Sequence, residues 1–290
     1  MATESTSAAV EIFELPGVSV YPESVGVDPA SGDAYVGSLA DGALYRLTSD
    51  RAVVLWSPAG QDGRSSVAGV KVDQEGRLWA AGGYDGTLYV YELTSRSLLA
   101  RLDVGARPSC VNDIAFGPGG EAYVTDSFIS LLFRAAGDTL VLEPWVDLAE
   151  QGVPWSDGLN LNGIVLAADG RHLVACQTNL GRFWRVALAS GQVEEVALRG
   201  GPLEHCDGMA LSGSTLYVAI NARNRIAVVD LANDGASGSV RTMVSSDAFA
   251  FPTAVAVRDD GVLVVNGQLD KLGGQPRLPF TVVAIRAPAE

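Results

Sequence analysis

The 290-residue sequence has no run of 18 or more apolar residues, which excludes a membrane-spanning helix. No basic segment leading into an apolar core opens the chain at Met1 to Val10, so no secretory signal is expected and the protein is placed in the cytoplasm. Positive charge is scarce. Only 20 Lys and Arg stand against 34 Asp and Glu, a net charge of −14. Nucleic acid is therefore disfavoured as a partner, because neutralising phosphates needs clustered cations. Cysteine is sparse and odd in number: Cys110, Cys176 and Cys206 have no metal-type spacing and make no disulfide framework. A Gly-rich phosphate loop, an H-E-x-x-H pair and a G-x-S-x-G elbow are all missing, so nucleotide binding and serine hydrolysis have no support. Long helical periodicity is absent too.

What the sequence does contain is a repeat. An apolar strand, a turn with Gly or Asp, and a second strand recur six times, with two further strands after most copies. Aligned on the first strands, Glu23, Ala68, Asn112, Asn162, Asp207 and Thr253 are equivalent, at steps of 45, 44, 50, 45 and 46 residues. Repeats of this length with four short strands are the mark of propeller blades. The expected fold is an all-β, six-bladed β-propeller occupying residues 1–290 as one domain. The sixth copy is one strand short, ending at Phe280 to Ile285. A spare strand, Val10 to Leu15, precedes the first copy. Pairing the two closes the ring and covers an exposed edge.

In a propeller the first strand of each blade is innermost, so equivalent positions form a ring around the central channel. Glu23, Asn112, Asn162 and Asp207 would converge there although they are distant in sequence. All four offer oxygen, which suits a hard divalent cation: calcium first, with magnesium, manganese or zinc as alternatives. Two carboxylates and two amides give the site a charge of −2 and leave coordination positions for water or substrate. Asn162-Gly163 and Asp207-Gly208 have a second reading as ordinary turn dipeptides. The ends of the second strands carry Ser38, Asp126, Gln177, Asn221 and Asn266, a possible second polar ring for substrate. The long connections 149–160 and 267–279 are lid candidates on the same face. His205, two residues before Asp207, is a candidate proton shuttle, whereas His172 falls in a turn on the opposite face. The cysteines are read as buried small residues.

The phrases P-E-S-V-G-V-D at Pro22 to Asp28, N-D-I-A at Asn112 to Ala115, N-G-I at Asn162 to Ile164 and D-G-M at Asp207 to Met209 resemble the senescence-marker-protein (regucalcin), gluconolactonase and luciferin-regenerating-enzyme family. The resemblance runs from about Pro22 to the last strand. It implies a divalent metal in the channel with Glu23, Asn162 and Asp207 as ligands. It also implies Asn112 as ligand or substrate contact, Asp113 near substrate, and hydrolysis of a lactone or related ester. Asp207 or Asp113 would then orient or deprotonate the attacking water, with His205 as a further proton carrier. The chain departs from the family at Ser24, where Gly is usual, and at Cys110, where an Arg often meets polar sugar lactones. A less polar substrate is the corresponding expectation. The expected partner is a small molecule, with no nucleic acid or membrane, and the expected state is a monomer or weak homo-oligomer. Two other readings fit the same repeat. One is a non-catalytic NHL-like binding propeller, to whose repeat Pro252 to Val257 conforms; the other is a propeller of the same family turned to different small-molecule chemistry.

Overall fold

The computed structural model describes residues 3–259 and 261–287. It is a six-bladed β-propeller. Each blade is an antiparallel sheet that starts innermost at Pro22–Val27, Gly69–Val72, Val111–Phe116, Leu161–Leu166, Cys206–Ser212 or Pro252–Arg258. We number the blades 1 to 6 in that order. The inner strands of neighbouring blades pack on one another around the whole circle, blade 6 against blade 1 included. Among the described residues no helix is long and apolar enough to cross a membrane.

Alternation along each strand sends apolar side chains to both sheet faces, because each blade is sandwiched between two others. The result is six apolar clusters, each shared by two adjacent blades. Trp79, Val90, Ile114 and Phe133 join blades 2 and 3 in this way.

The seam closes as the sequence implies. Ala9–Leu15 pairs antiparallel with Phe280–Arg286, setting Ile12 opposite Val283 and Glu14 opposite Thr281. Phe13 and Leu15 are buried between blades 6 and 1. The sequence pattern did not announce the strand before it. Thr3–Thr6 runs parallel to the outer strand of blade 5, Ser237–Ser245. The N-terminal segment therefore bridges two blades, pairing first with blade 5 and then with blade 6. Blade 4 also lends material: after its outer strand Val193–Glu195, the short strand Ala197–Arg199 crosses to pair with blade 5.

Candidate functional site

The ring position is a break in strand pairing. In blade 1, Pro22 faces Ser38 and Ser24 faces Gly37, so Glu23 is an extra residue. The same one-residue surplus occurs at Asn112-Asp113 in blade 3, Asn162-Gly163 in blade 4, Asp207-Gly208 in blade 5 and Thr253 in blade 6. Such bulges bend the strand and re-aim a side chain. In blade 2 the strand begins one residue later, with Gly69 opposite Ala81; the ring residue there is Ala68, whose N–H donates to the Ala81 carbonyl.

The two glycines do not serve as turn residues. A Cβ on Gly163 would lie 2.6 Å from the Asp207 carbonyl oxygen, and one on Gly208 would lie 2.8 Å from Ala254 Cα. Glycine is required because each bulge sits against the next blade, which overturns the turn-dipeptide reading.

Glu23, Asn112, Asn162 and Asp207 line one cavity of about 200 Å³. Asn112, Asn162 and Asp207 are oriented from behind. Asn112 Nδ2 donates to Ser127 Oγ (2.9 Å), and Asn162 Nδ2 donates to Thr178 Oγ1 (3.2 Å). Those hydroxyls are themselves fixed, donating to the Leu161 and Cys206 carbonyls. One N–H of each amide is thereby fixed, and a hydrogen bond from Asn162 also reaches Asp207. Asp207 Oδ2 accepts from Asn221 Nδ2 (2.9 Å). Asn162 Oδ1 and Asp207 Oδ1 are buried without a hydrogen-bond partner. Buried polar oxygens of this kind are costly unless something pairs with them.

Electrostatics agree. Burial pushes the Asp207 carboxyl up to about 7; the nearby Asp113 charge adds to this, and hydrogen bonds from Asn221 and Asn162 oppose it. Glu23 is raised well above the usual carboxylate range, first by burial and then by Asp207 and Asp113, with Lys71 acting the other way. A cation among these oxygens would favour both ionised forms. Among the described residues no group of three or more His, Cys, Asp or Glu is placed to hold a metal ion; the donors that meet in this cavity are two carboxylates and two amides. That oxygen-only set fits a hard divalent ion such as calcium.

Other expected site residues lie elsewhere. Asp113 does not line the cavity. Its Oδ1 faces the Lys71 ammonium at 3.0 Å and its Oδ2 accepts from the Ile164 N–H (3.2 Å). His205 is exposed, has a left-handed backbone (φ 65°) and also stays outside the cavity. His172 pairs with Asp169 at 2.7 Å.

The second polar ring is shifted by one residue. Ser38, Asp126, Gln177 and Asn266 end the second strands opposite Pro22, Val111, Leu161 and Pro252, but Asn221 lies one step beyond its equivalent, Ile220. A one-residue slip reverses the side a strand residue faces. Asp126 is buried and accepts from Ser109 and from the N–H groups of Cys110, Phe128 and Ile129. Gln177 is spent on Pro154 and Trp184, and Asn266 on Ala248, Ala250 and Thr281. These three hold loops rather than line the cavity. The positions in register with Asn221 are Ser127 and Thr178, which sequence reasoning missed; counting one residue past each second strand would have found them.

Both long connections reach the cavity, through Leu159 in one and Leu269 and Asp270 in the other. Cys110 lines it too, but burial pushes its thiol far up, as it does that of Cys176, so neither is suited to act as a nucleophile.

No family model and no curated protein matches the sequence. Solved structures share the fold. The calcium-binding protein regucalcin from Agrobacterium tumefaciens superposes with a TM-score of 0.69 at 17% identity, over 99% of this chain and 98% of that one. The major Malassezia sympodialis allergen Mala s 1 gives 0.73 at 13% identity, covering 94% and 95%. A streptogramin B lyase gives 0.67 at 13% identity, covering 97% and 87%. These likenesses establish the propeller; activity is a separate question.

Proposed function

We propose that the chain binds one divalent cation, calcium first, at Glu23, Asn112, Asn162 and Asp207, and hydrolyses a lactone or related ester beside it. The observation that carries this reading is the pair of buried, unpartnered oxygens, Asn162 Oδ1 and Asp207 Oδ1, which share a cavity with the Glu23 carboxylate. A neighbour of the same fold is described as calcium-binding, which supports the choice of metal.

A bound cation supplies Lewis-acid polarisation of the substrate carbonyl. The chain's own residues do the rest. Asn112 and Asn162 each give one N–H to a hydroxyl, Ser127 and Thr178, which fixes the amide and lets its oxygen serve as a ligand. They act as ligands. Asp207, with Oδ2 held by Asn221, serves both as ligand and as base: it accepts a proton from the attacking water, and that proton passes to the alkoxide released when the acyl C–O bond breaks. Asp113, paired with Lys71 beyond the cavity, and His205, out on the surface, take no part in this step. The expected partner is a small molecule, given the cavity of about 200 Å³.

The test is hydrolysis of a panel of lactones and aryl esters by protein purified without chelator, with and without added calcium. Calcium-dependent release of the hydroxy acid supports the proposal. A metal-loaded protein inert towards the whole panel would refute hydrolysis and favour a binding propeller.

A further inference from the structure

We infer that the site takes a lactone whose ring carries an apolar arm, alkyl or aryl, rather than a polyhydroxylated or anionic one. This rests on the hydrolase reading of the same cavity and names the substrate class.

The cavity has two levels. Its floor is the oxygen ring. Above the floor, Leu39 from blade 1, Tyr84 from blade 2, Leu159 from the connection between blades 3 and 4, Phe251 before blade 6 and Leu269 within it converge from different parts of the chain. Tyr84 is 56% exposed and Leu159 43%, high values for large apolar side chains facing a pocket. The Tyr84 ring leans on Phe128, with centroids 5.8 Å apart, which extends the apolar wall. An exposed apolar patch continuous with a polar site marks a ligand-binding surface.

The polar side of the rim is equally informative. Among the described residues no Lys or Arg lines the cavity, so a substrate carboxylate or phosphate has no counter-charge there. Cys110 lines it with a buried, uncharged side chain. The rim acid Asp270 is already paired with Lys271 at 2.7 Å. Beyond the ring, Asn221, Thr178 and the Tyr84 hydroxyl are the uncharged polar groups, and the first two are engaged with ring residues or backbone. A polyol would therefore lose water contacts that the rim does not replace.

The experiment measures kcat/KM for γ-lactones with unbranched arms from methyl to heptyl, alongside glucono-δ-lactone. In parallel, calorimetry follows binding of the matching γ-alkyl lactams, which resist hydrolysis. The expected result is a rise of about threefold to fourfold per methylene until the arm outgrows the rim, with glucono-δ-lactone the poorest substrate. Leu159→Asn and Tyr84→Asn should each flatten the slope. A flat series, or a preference for glucono-δ-lactone, overturns the inference while leaving hydrolysis intact. If no lactone is hydrolysed but lactam binding tightens with arm length, the substrate class stands and the hydrolase reading falls. If no lactone is hydrolysed and lactam affinity is independent of arm length, both fall.

Discussion

The two ends of the central channel are built by the same six strands and have opposite character. At one end Glu23, Asn112, Asn162 and Asp207 present oxygen to a cavity. At the other, a cavity of about 290 Å³ is walled by apolar residues such as Val27, Phe116, Leu166, Leu211 and Val257, with Lys71 the charged side chain among them. Pairing explains the difference. The apolar end lies in regular antiparallel register, so alternation governs it. The polar end lies at the bulges, where one surplus residue per strand escapes alternation. Blade 2 is the contrast within the molecule: it contributes Ala68, which has no side-chain oxygen, to the ring, and sends Lys71 to line the opposite end.

The largest expected effect comes from the polar end. Asp207→Asn keeps size and an oxygen but takes the protein part of the site from −2 to −1. Calcium affinity should fall, and hydrolysis at saturating calcium should stay about 100-fold or more below wild type for want of the base. Full recovery with excess calcium would make Asp207 a ligand only.

Next, glycine substitutions can separate the ends. A Cβ at Gly163 would lie 2.6 Å from the Asp207 carbonyl, and one at Gly26, which lines the apolar end, would lie 2.6 Å from the Val70 carbonyl. Both Gly163→Ala and Gly26→Ala should cost about 1–3 kcal/mol of stability through overpacking. Only Gly163→Ala should also weaken calcium binding, as read by calorimetry. Equal loss of affinity in both would mean that the ends are not independent.

A third effect is a pH dependence. The Asp207 carboxyl is raised to about 7 when folded, whereas an unfolded Asp titrates near 3.9. Between those values the folded state holds the extra proton. Stability of the calcium-free protein should therefore fall as pH rises from about 4 to about 7. Denaturant midpoints in chelator, compared with those of Asp207→Asn, isolate this slope. The slope should vanish in calcium, and its persistence there would contradict the assignment.

The smallest effect belongs to Lys71→Met. It removes a positive charge facing Asp113 and Glu23, so calcium affinity should rise, by less than about tenfold, while leaving Asp113 unpaired lowers the melting temperature. A fall in affinity would show that Lys71 supports the ring by packing rather than opposing it by charge.

Much of this architecture was legible in the sequence. Apolar strands at blade spacing fixed the propeller, and Val10 to Leu15 showed the closing strand because Phe13 and Leu15 alternate towards the core. Thr3–Thr6 was not legible: all four of its residues are exposed, so it pairs through backbone and leaves no apolar pattern. The ring itself could be read because Glu23, Asn112, Asn162 and Asp207 interrupt apolar strands at one repeated position. The ring's support could not. Aligning Asn221 with Asp126, Gln177 and Asn266 slipped by one residue, and in a strand that slip exchanges cavity for loop. The Lys71–Asp113 pair joins neighbouring blades, a relation that repeat spacing alone does not encode.

The most direct test of the account is a calcium titration of chelator-treated protein, followed by calorimetry and by the melting temperature. The account predicts one calcium per chain and a melting temperature that rises with calcium concentration, because the ion binds the folded ring and not the unfolded chain. Both should be abolished in the double variant Glu23→Gln, Asp207→Asn. Absence of binding heat together with an unmoved transition, for calcium and for magnesium, manganese and zinc in turn, would contradict it.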